Sequence, residues 1–228
     1  MPSSSHGERV VCVPAGTVFL EGDLVLPSDP RGIVLFAHGS GSSRHSPRNR
    51  FVARSLQEAG LATLLLDLLT QEEEAVDDRT AQLRFDIQLL AERLVGATGW
   101  LRRERETANL SIGYFGASTG AGAALVAAAH LPEAIAAVVS RGGRPDLAGQ
   151  ALPLVRCPTL LIVGGDDTQV IRLNRKAFDQ LSCTDKQLQI VPGATHLFEE
   201  PGTLEGVARL AGDWFGRYLQ GPPTVWIA

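Results

Sequence analysis

The sequence predicts an α/β fold built on a doubly wound, mostly parallel β-sheet. From residue 33 onward, short apolar runs alternate with longer helix-forming runs, which is typical of parallel strands joined by helices. The run Ile33–Ala37 is apolar at every position, as a strand covered by helices on both faces requires. Before it, two strand-like runs flank Pro14-Ala15-Gly16 and predict an antiparallel hairpin at the sheet edge.

The remaining elements follow from the spacing of apolar residues and from residues that end helices and form turns. Strands are predicted at residues 10–13, 17–26, 33–37, 62–66, 110–115, 134–139, 157–163 and 186–191. Helices are predicted at residues 46–59, 80–95, 121–130, 170–181 and 204–219. The acidic stretch at residues 72–78 is interpreted as a solvated connection, with the alternative that it rims a ligand site.

The composition indicates one soluble globular domain with a substantial core. The chain has 228 residues, of which 44% are hydrophobic and 20% are charged. We expect residues 1–8 to form a flexible tail and residues 9–228 to form a single α/β domain. The tail has no apolar segment of signal-peptide length, and no run of about eighteen apolar residues occurs, so we expect a cytoplasmic protein.

Charge and cysteine content exclude several classes of partner. The formal net charge of -4, without a long basic block, gives no electrostatic footprint for nucleic acid or for an anionic membrane surface. The cysteines Cys12, Cys157 and Cys183 include no C-x-x-C pair, so neither a disulfide framework nor a zinc site is predicted, and we expect buried thiols. The sequence therefore predicts small-molecule chemistry without a metal or another cofactor.

One short stretch, Gly116-Ala117-Ser118-Thr119-Gly120, has the pattern of a nucleophile elbow. A predicted strand precedes it and a run of small, helix-forming residues follows it. Such a turn holds a serine up from the sheet edge, and it needs residues without bulk because the chain nearly folds onto itself. Ser118 is therefore the predicted nucleophile, with an ordinary loop serine as the alternative.

A serine nucleophile needs an imidazole base, and the five histidines of the chain differ in position. His6 lies in the tail, His45 in a polar loop and His130 at the end of a predicted helix. His38 and His196 follow predicted strands, where ligands approach an α/β sheet. His196 is the predicted base because it lies in a polar loop after the last strand, whereas His38 is expected to brace its own loop.

The base in turn needs a carboxylate that fixes its tautomer. Asp166 and Asp167 directly follow a late predicted strand, at the sheet edge where the base is expected. The order Ser118, aspartate, His196 is the order of nucleophile, acid and base in α/β-hydrolases. With these features the chain resembles the α/β-hydrolase superfamily, and within it the dienelactone-hydrolase-like esterases. Asp167 matches the G-x-x-D of that family, counted from Gly164, and is the predicted acid.

The resemblance also implies an oxyanion hole. The family uses the amide that follows the nucleophile, here the amide of Thr119, together with one amide of the loop after the third strand. In that loop we nominate Ser40, and the neighbouring amides of Gly39 and Gly41 are the alternatives. A phosphate-binding loop is not favoured, because the P-loop lysine and the G-x-G-x-x-G spacing are both missing.

Three features bear on the substrate. Only residues 140–156 separate the sixth and seventh strands, so no large cap domain is expected, and an open site favours small soluble esters or lactones. The dienelactone hydrolases themselves have a cysteine nucleophile, whereas this chain has Ser118, so general esterase activity is expected. Their anionic lactone suggests that Arg141 and Arg144, at the ligand edge, bind a substrate carboxylate, unless these arginines pair with Asp146 or face solvent.

The function predicted from the sequence is a cofactor-independent serine hydrolase that acts through an acyl-Ser118 intermediate. Two alternatives stay open at this point. Another acyl-transfer enzyme, such as a peptidase, thioesterase or acyltransferase, would use the same triad. A non-catalytic binding module on the same fold is the alternative from another class, although all triad positions are filled.

Overall fold

The computed structural model describes residues 7–220. Within them, the strands are β1 (Arg9–Ala15), β2 (Val18–Val25), β3 (Ile33–Ala37), β4 (Ala62–Leu66), β5 (Ile112–Ala117), β6 (Ile135–Arg141), β7 (Thr159–Gly164) and β8 (Lys186–Val191). The α-helices are α1 (Pro47–Glu58), α2 (Gln71–Thr80), α3 (Ile87–Leu101), α4 (Thr119–His130), α5 (Thr168–Gln180) and α6 (Thr203–Tyr218). Residues 1–6 of the predicted tail and residues 221–228 of the predicted domain lie outside the described residues.

The strands form one sheet in the order β1-β2-β4-β3-β5-β6-β7-β8. β1 and β2 make an antiparallel hairpin, and β2 pairs antiparallel with β4. Every later pair is parallel. The predicted fold class, a mostly parallel sheet with an antiparallel N-terminal hairpin, is therefore confirmed.

The apolar sequences of β3 and β5 place these strands at the centre of the sheet. All their residues are buried, because helices cover both faces. Successive side chains alternate between two apolar layers, so that Leu35 packs in the layer of α3 and α4, and Phe36 in the layer of α1 and α6. Helix α4 consists mainly of glycine and alanine, which lets it lie close to the sheet.

The structure corrects the interpretation of the acidic stretch at residues 72–78. This stretch forms helix α2 and not an irregular connection. Thr70 and Glu73 make a capping box, in which the Thr70 hydroxyl accepts a hydrogen bond from Glu73 N and the Glu73 carboxylate accepts one from Thr70 N. The pattern Thr70-x-x-Glu73 is the sequence signature of a capping box, and it would have predicted the start of this helix.

Helix α3 lies later in the chain than the predicted helix at residues 80–95. It begins after Asp86, whose side chain caps its first turn. It also continues through Gly96, before which the predicted helix ended. At this point α3 crosses β1 so closely that a Cβ on Gly96 would lie 2.7 Å from Ala15 Cα. The glycine therefore marks a close approach of two elements and not the end of a helix.

The carboxyl ends of the parallel strands meet at one edge of the sheet, and the loops there carry the predicted site residues. Between β6 and β7 there is only a turn and the 3₁₀ segment Pro145–Leu154, so within the described residues no large cap covers this edge. Two of the three cysteines are buried, as expected, but Cys12 on the edge strand β1 is exposed, and the prediction is wrong for it. From residue 7 to residue 220, no helix has the length and apolar character needed to cross a membrane.

Candidate active site

Ser118 occupies the sharp turn between β5 and α4. Its backbone has φ 49° and ψ −120°, a conformation that residues with a Cβ rarely adopt. Ser118 N donates a hydrogen bond to Arg141 O at 3.3 Å. Ser118 O accepts hydrogen bonds from Ala121 N at 3.1 Å and from Arg144 N at 2.9 Å. The turn that follows β6 therefore holds the strained backbone of the elbow.

The two glycines of the elbow are required by close packing. A Cβ on Gly116 would lie 2.4 Å from Ala121 Cα. A Cβ on Gly120 would lie 2.4 Å from the carbonyl oxygens of both Ala37 and His38. Any side chain at either position would push α4 away from the sheet, which is the steric reason for the residues without bulk in the motif.

Asp167 and His196 are brought together at the sheet edge. The distance between Asp167 Oδ2 and His196 Nδ1 is 2.7 Å, so Nδ1 donates to the carboxylate and the neutral ring keeps Nε2 free to accept a proton. The other carboxylate oxygen, Oδ1, accepts a hydrogen bond from Val170 N and caps α5. Among the residues that the structure describes, Asp166 is bonded through its main chain alone, with its N donating to Ala194 O at 3.0 Å.

The loop that carries His196 is pinned by a residue that sequence analysis did not single out. Glu200 accepts hydrogen bonds from Thr195 N at 3.1 Å and from Thr195 Oγ1 at 2.6 Å. The His196 side chain itself remains 39% exposed. No short motif signals this arrangement, because it depends on how the loop folds back on itself.

Gly142 connects the surroundings of Ser118 and His196. It follows Arg141, whose carbonyl oxygen accepts the hydrogen bond from Ser118 N. A Cβ on Gly142 would lie 3.6 Å from His196 Nδ1. Within residues 7–220, no hydrogen bond joins Ser118 Oγ to His196. In free enzymes this bond is often long and forms only when substrate is bound. The three predicted triad residues thus lie on adjoining loops, with the acid and base already paired.

His38 is buried and ties the loop after β3 to the end of β4. Its Nδ1 donates to Gly39 O at 2.9 Å, and its Nε2 accepts a hydrogen bond from Leu68 N at 3.1 Å. Burial lowers the pKa of this imidazole below its ordinary value of 6.5, although the Gly39 carbonyl and Asp67 act in the opposite direction. The expected role of His38 as a brace of its own loop agrees with these two hydrogen bonds.

Ion pairs hold the other end of the same loop. Arg44 N donates to Asp67 Oδ1 at 2.6 Å, and the Arg44 guanidinium pairs with the same carboxylate. The guanidinium also contacts Asp23 at 3.3 Å and Glu21 at 2.6 Å. The side chains of Asp23 and Asp67 are only 6% and 12% exposed, so their ion pairs with Arg44, and that of Asp23 with Arg50, offset the cost of burying charge.

The nominated oxyanion residues Ser40 and Thr119 contact each other. Ser40 N donates a hydrogen bond to Thr119 Oγ1 at 2.9 Å, and Thr119 is buried. The main-chain N–H of Thr119, at the start of α4, has no acceptor in the described part of the chain. The predicted amide of Ser40 is thus engaged with a side chain, whereas that of Thr119 is available.

A cavity of about 260 Å³ lies between this loop and helix α2. Its walls include Gly39, Ser40 and Thr119 on the side of the elbow, and Glu74, Asp77, Asp78 and Arg84 on the side of the helix. Arg84 pairs with Asp77 and Asp78, whereas partial burial and the nearby Asp67 and Asp78 raise the pKa of Glu74. The acidic stretch therefore rims a cavity beside the elbow, which was the alternative interpretation of its sequence.

The two candidate substrate-binding arginines differ in their surroundings. Arg144 forms a two-pronged ion pair with Asp146, with distances of 2.9 and 2.8 Å, as the alternative interpretation held. Arg141 is only 6% exposed, and its Nη2 donates to Asn49 Oδ1 at 3.2 Å. Its guanidinium carbon lies 6.0 Å from the centre of the Phe198 ring. Asn49 and Phe198 are far from Arg141 in sequence, so only the structure reveals their contact with it.

Arg141 is a buried cation that pairs with no carboxylate in the described part of the chain. Its Nε is buried without a hydrogen-bond partner. Burial, reinforced by the nearby Arg48, lowers the pKa of Arg141 to about 10. A charge held in this way costs free energy unless an anion compensates it.

The fold is that of the α/β-hydrolases, in which a serine turn between strand and helix lies at the carboxyl edge of a mostly parallel sheet. Comparison with known proteins gives the family. The model of the dienelactone hydrolase family matches residues 20–214. The chain belongs to the dienelactone hydrolase family.

Two relatives are similar along most of this chain. The crystal structure of a dienelactone hydrolase from Anabaena variabilis is 64% identical, with a TM-score of 0.92, and the match covers 94% of this chain and 99% of that one. A protein of Mycobacterium tuberculosis named "Putative phosphoribosyl transferase" is 62% identical over 216 residues, or 94% of this chain. The match covers 47% of that protein, so this chain spans about half the length of the curated relatives it matches.

More distant structures share the fold alone. A Xanthomonas campestris protein described as an α/β serine hydrolase without lid is 20% identical, with a TM-score of 0.75, and the match covers 98% of this chain and 100% of that one. Est1E from Butyrivibrio proteoclasticus is 14% identical, with a TM-score of 0.76, over 92% of this chain and 98% of that one. Both likenesses extend over nearly the whole sheet and its helices.

Proposed function

We propose that this protein is a serine hydrolase that cleaves small carboxylic esters or lactones. The observation that carries the proposal is the 2.7 Å hydrogen bond between Asp167 and His196, at the same sheet edge as Ser118 in its strained turn. Membership of the dienelactone hydrolase family supports hydrolase chemistry. The 64% identity to a protein described as a dienelactone hydrolase supports an ester or lactone as the substrate class.

In the proposed reaction, Ser118 Oγ attacks the substrate carbonyl carbon while His196 Nε2 takes the serine proton. Asp167 keeps the other imidazole nitrogen protonated and stabilises the charged ring. His196 then gives the proton to the leaving oxygen, and the acyl group remains on Ser118. A water molecule activated by His196 releases the acid. With a lactone, the leaving hydroxyl stays attached to the acyl chain, so one product is formed.

The negative charge on the carbonyl oxygen needs donors that are fixed in advance. The Thr119 amide is one proposed donor, because it is free and lies at the positive end of the α4 dipole. The second proposed donor comes from the loop after β3, where Ser40 is the nominated residue and Gly39 and Gly41 are the alternatives.

The surroundings of the elbow support a short, polar substrate. The cavity of about 260 Å³ has several polar side chains in its walls, and within residues 7–220 no large cap covers this edge of the sheet. At the end of β6, Arg141 offers a buried cation that pairs with no carboxylate among residues 7–220. We propose that it binds a carboxylate on the substrate, which would satisfy this charge. Arg144 would have to leave Asp146 to act in the same way.

We infer that the transferase activity in the name of the Mycobacterium tuberculosis relatives belongs to the half of those proteins that this chain does not span. This chain, which aligns with the other half, matches the dienelactone hydrolase family over residues 20–214. The 62% identity over that half makes a shared hydrolase function the simpler inference.

The test is labelling with a fluorophosphonate followed by mass mapping of the modified residue. Fluorophosphonates react with activated serine hydroxyls, so no substrate has to be guessed. We expect the label on Ser118 of the wild-type protein and no label on Ser118→Ala, which should also lose turnover in a panel of short esters. A folded wild-type protein that is not labelled, and that matches Ser118→Ala on every ester, would overturn the proposal in favour of a binding module.

A further inference from the structure

The side chain of Thr119 accepts the hydrogen bond that, in the proposed mechanism, the Ser40 amide would donate to the charged oxygen of a substrate. Ser40 N points at Thr119 Oγ1 across 2.9 Å. One N–H group makes one well-aligned hydrogen bond, so the Ser40 amide does not also donate at full strength to a substrate. Either the Thr119 hydroxyl moves away when substrate binds, or the hydroxyl itself faces the substrate.

The proton of this hydroxyl has no acceptor in the described part of the chain. Thr119 is 2% exposed, and between residues 7 and 220 the one hydrogen bond of its hydroxyl is the one that it accepts from Ser40. A threonine inside a helix can donate to the carbonyl four residues earlier. For Thr119, the first residue of α4, that position is Phe115 in strand β5, and no such bond is present. A buried hydroxyl with an unused donor is uncommon and requires an explanation.

The location of the hydroxyl suits a catalytic donor. Thr119 directly follows Ser118, and it lines the cavity beside the elbow together with Gly39 and Ser40. A Cβ on Gly39 would lie 3.0 Å from Ser118 Cβ, so this wall of the cavity begins at the nucleophile. A carbonyl group attacked by Ser118 is therefore within the neighbourhood of both the amide and the hydroxyl of Thr119.

We propose that the Thr119 hydroxyl is a donor of the oxyanion hole and that the Ser40 amide acts through it. This inference rests on the proposed serine hydrolase function. The hydroxyl accepts from Ser40 N–H and donates its own proton to the charged oxygen of the substrate. Accepting one hydrogen bond strengthens a hydroxyl as a donor, because the two bonds polarise each other. Thr119 then supplies two donors, its amide and its hydroxyl.

The two possibilities predict opposite results for one substitution. Thr119→Val keeps the shape of the side chain but removes the hydroxyl. If the hydroxyl is the donor, kcat should fall about a hundredfold with KM changed little, which is the effect of losing one oxyanion donor. If the hydroxyl only occupies the Ser40 amide, its removal frees that amide, and kcat should stay the same or rise. Thr119→Ser retains the hydroxyl and should keep kcat within about fivefold of wild type.

A control variant isolates the effect of the hydroxyl at the site. Thr63→Val makes the same exchange at another buried threonine, which lies on strand β4. Its hydroxyl accepts a hydrogen bond from Gln57 of helix α1. This variant should change the free energy of unfolding but not kcat. All variants are compared with p-nitrophenyl acetate, and circular dichroism confirms that each is folded.

The proposal is overturned if Thr119→Val is as active as wild type or more active, since the Ser40 amide would then be the donor. It is also overturned if Thr119→Ser loses as much activity as Thr119→Val, which would assign the effect to side-chain shape. A wild-type protein that hydrolyses no ester and takes no fluorophosphonate label would instead show that the serine hydrolase function itself is wrong.

Discussion

The two loops that complete the candidate site are held in different ways. The loop after β3 is fixed at both ends by buried polar groups, with His38 bonded to Leu68 and Arg44 paired with Asp67. The loop after β8 is exposed, and His196 is oriented by a single side-chain bond to Asp167. Donors that stabilise charge must be fixed in advance, whereas a base must move a proton between two oxygens. In the proposed mechanism, the rigid loop serves the first task and the exposed loop the second.

This comparison predicts that the largest loss of activity follows from breaking the hydrogen bond between Asp167 and His196 on the exposed side. In Asp167→Asn, the amide retains an acceptor for the N-cap of α5, because asparagine caps as well as aspartate does. The amide no longer fixes the tautomer of the His196 ring, so kcat for p-nitrophenyl acetate should fall about 10³- to 10⁴-fold. The free energy of unfolding, measured in urea, should change by less than about 0.5 kcal/mol.

Asp166→Asn is the matched control, since Asp166 is adjacent but is bonded only through its main chain. It should keep most of the activity. A large loss in Asp166→Asn with a small loss in Asp167→Asn would move the acid by one residue and contradict the geometry.

Substitutions that remove the ion pairs of the rigid loop after β3 should lower the free energy of unfolding more than they lower activity. Arg44→Gln leaves the buried carboxylate of Asp67 without its ion pair, whereas Asp23 keeps one with Arg50, and we expect the free energy of unfolding to fall by about 3 kcal/mol. Arg9→Gln is the control, because its ion pair with Glu106 is about half exposed and should contribute less than about 1 kcal/mol. Equal effects in urea unfolding would show that the loop does not depend on buried charge.

His38 gives the rigid side a dependence on pH. Burial lowers its pKa in the folded state, so between that value and the ordinary 6.5 the unfolded chain binds a proton that the folded chain does not. The free energy of unfolding should therefore fall as the pH is lowered from about 7 to about 5, by at most about 1.4 kcal/mol per pH unit. His38→Gln should show a flatter dependence in urea unfolding, whereas His130→Gln, at an exposed helix end, should match wild type. A slope that does not change in His38→Gln would contradict this assignment.

The parts of the fold that sequence could predict are those with local causes. The apolar run Ile33–Ala37 can only be a buried strand, and the order of strands and helices brings Ser118, Asp167 and His196 to one edge. Helix α2 was missed because only Asp77 on it is buried, so it has almost no apolar face. It is attached to the protein by ion pairs, Glu73 with Arg93 and Asp77 with Arg84, which depend on tertiary structure.

The finer contacts of the site could not be predicted from the sequence, because they too depend on tertiary structure. The bond between Ser40 and Thr119 joins residues 79 positions apart, and Arg141 meets Asn49 across 92 positions. Serine, threonine and asparagine have many roles in proteins, so their type alone does not indicate these contacts. The triad could be predicted because its residue types are few and each lies in the turn or loop that follows a strand.

The smallest expected effect concerns Arg141, which lies on the same side of the site as the exposed loop. At neutral pH this arginine is charged in both states, but its lowered pKa of about 10 means that the folded protein bears the cost of burying the charge. Arg141→Met should therefore raise the free energy of unfolding by about 1 kcal/mol, the loss of the Asn49 and Phe198 contacts offsetting part of the gain.

The same variant tests substrate binding. If Arg141 binds a substrate carboxylate, Arg141→Met should raise the KM of esters that carry a carboxylate several-fold, and the KM of neutral esters should not change. Added salt should shrink the wild-type preference for the charged esters, and Arg144→Gln, which removes an arginine already paired with Asp146, should retain that preference. Equal losses on charged and neutral esters would show that Arg141 shapes the loop and does not bind the substrate.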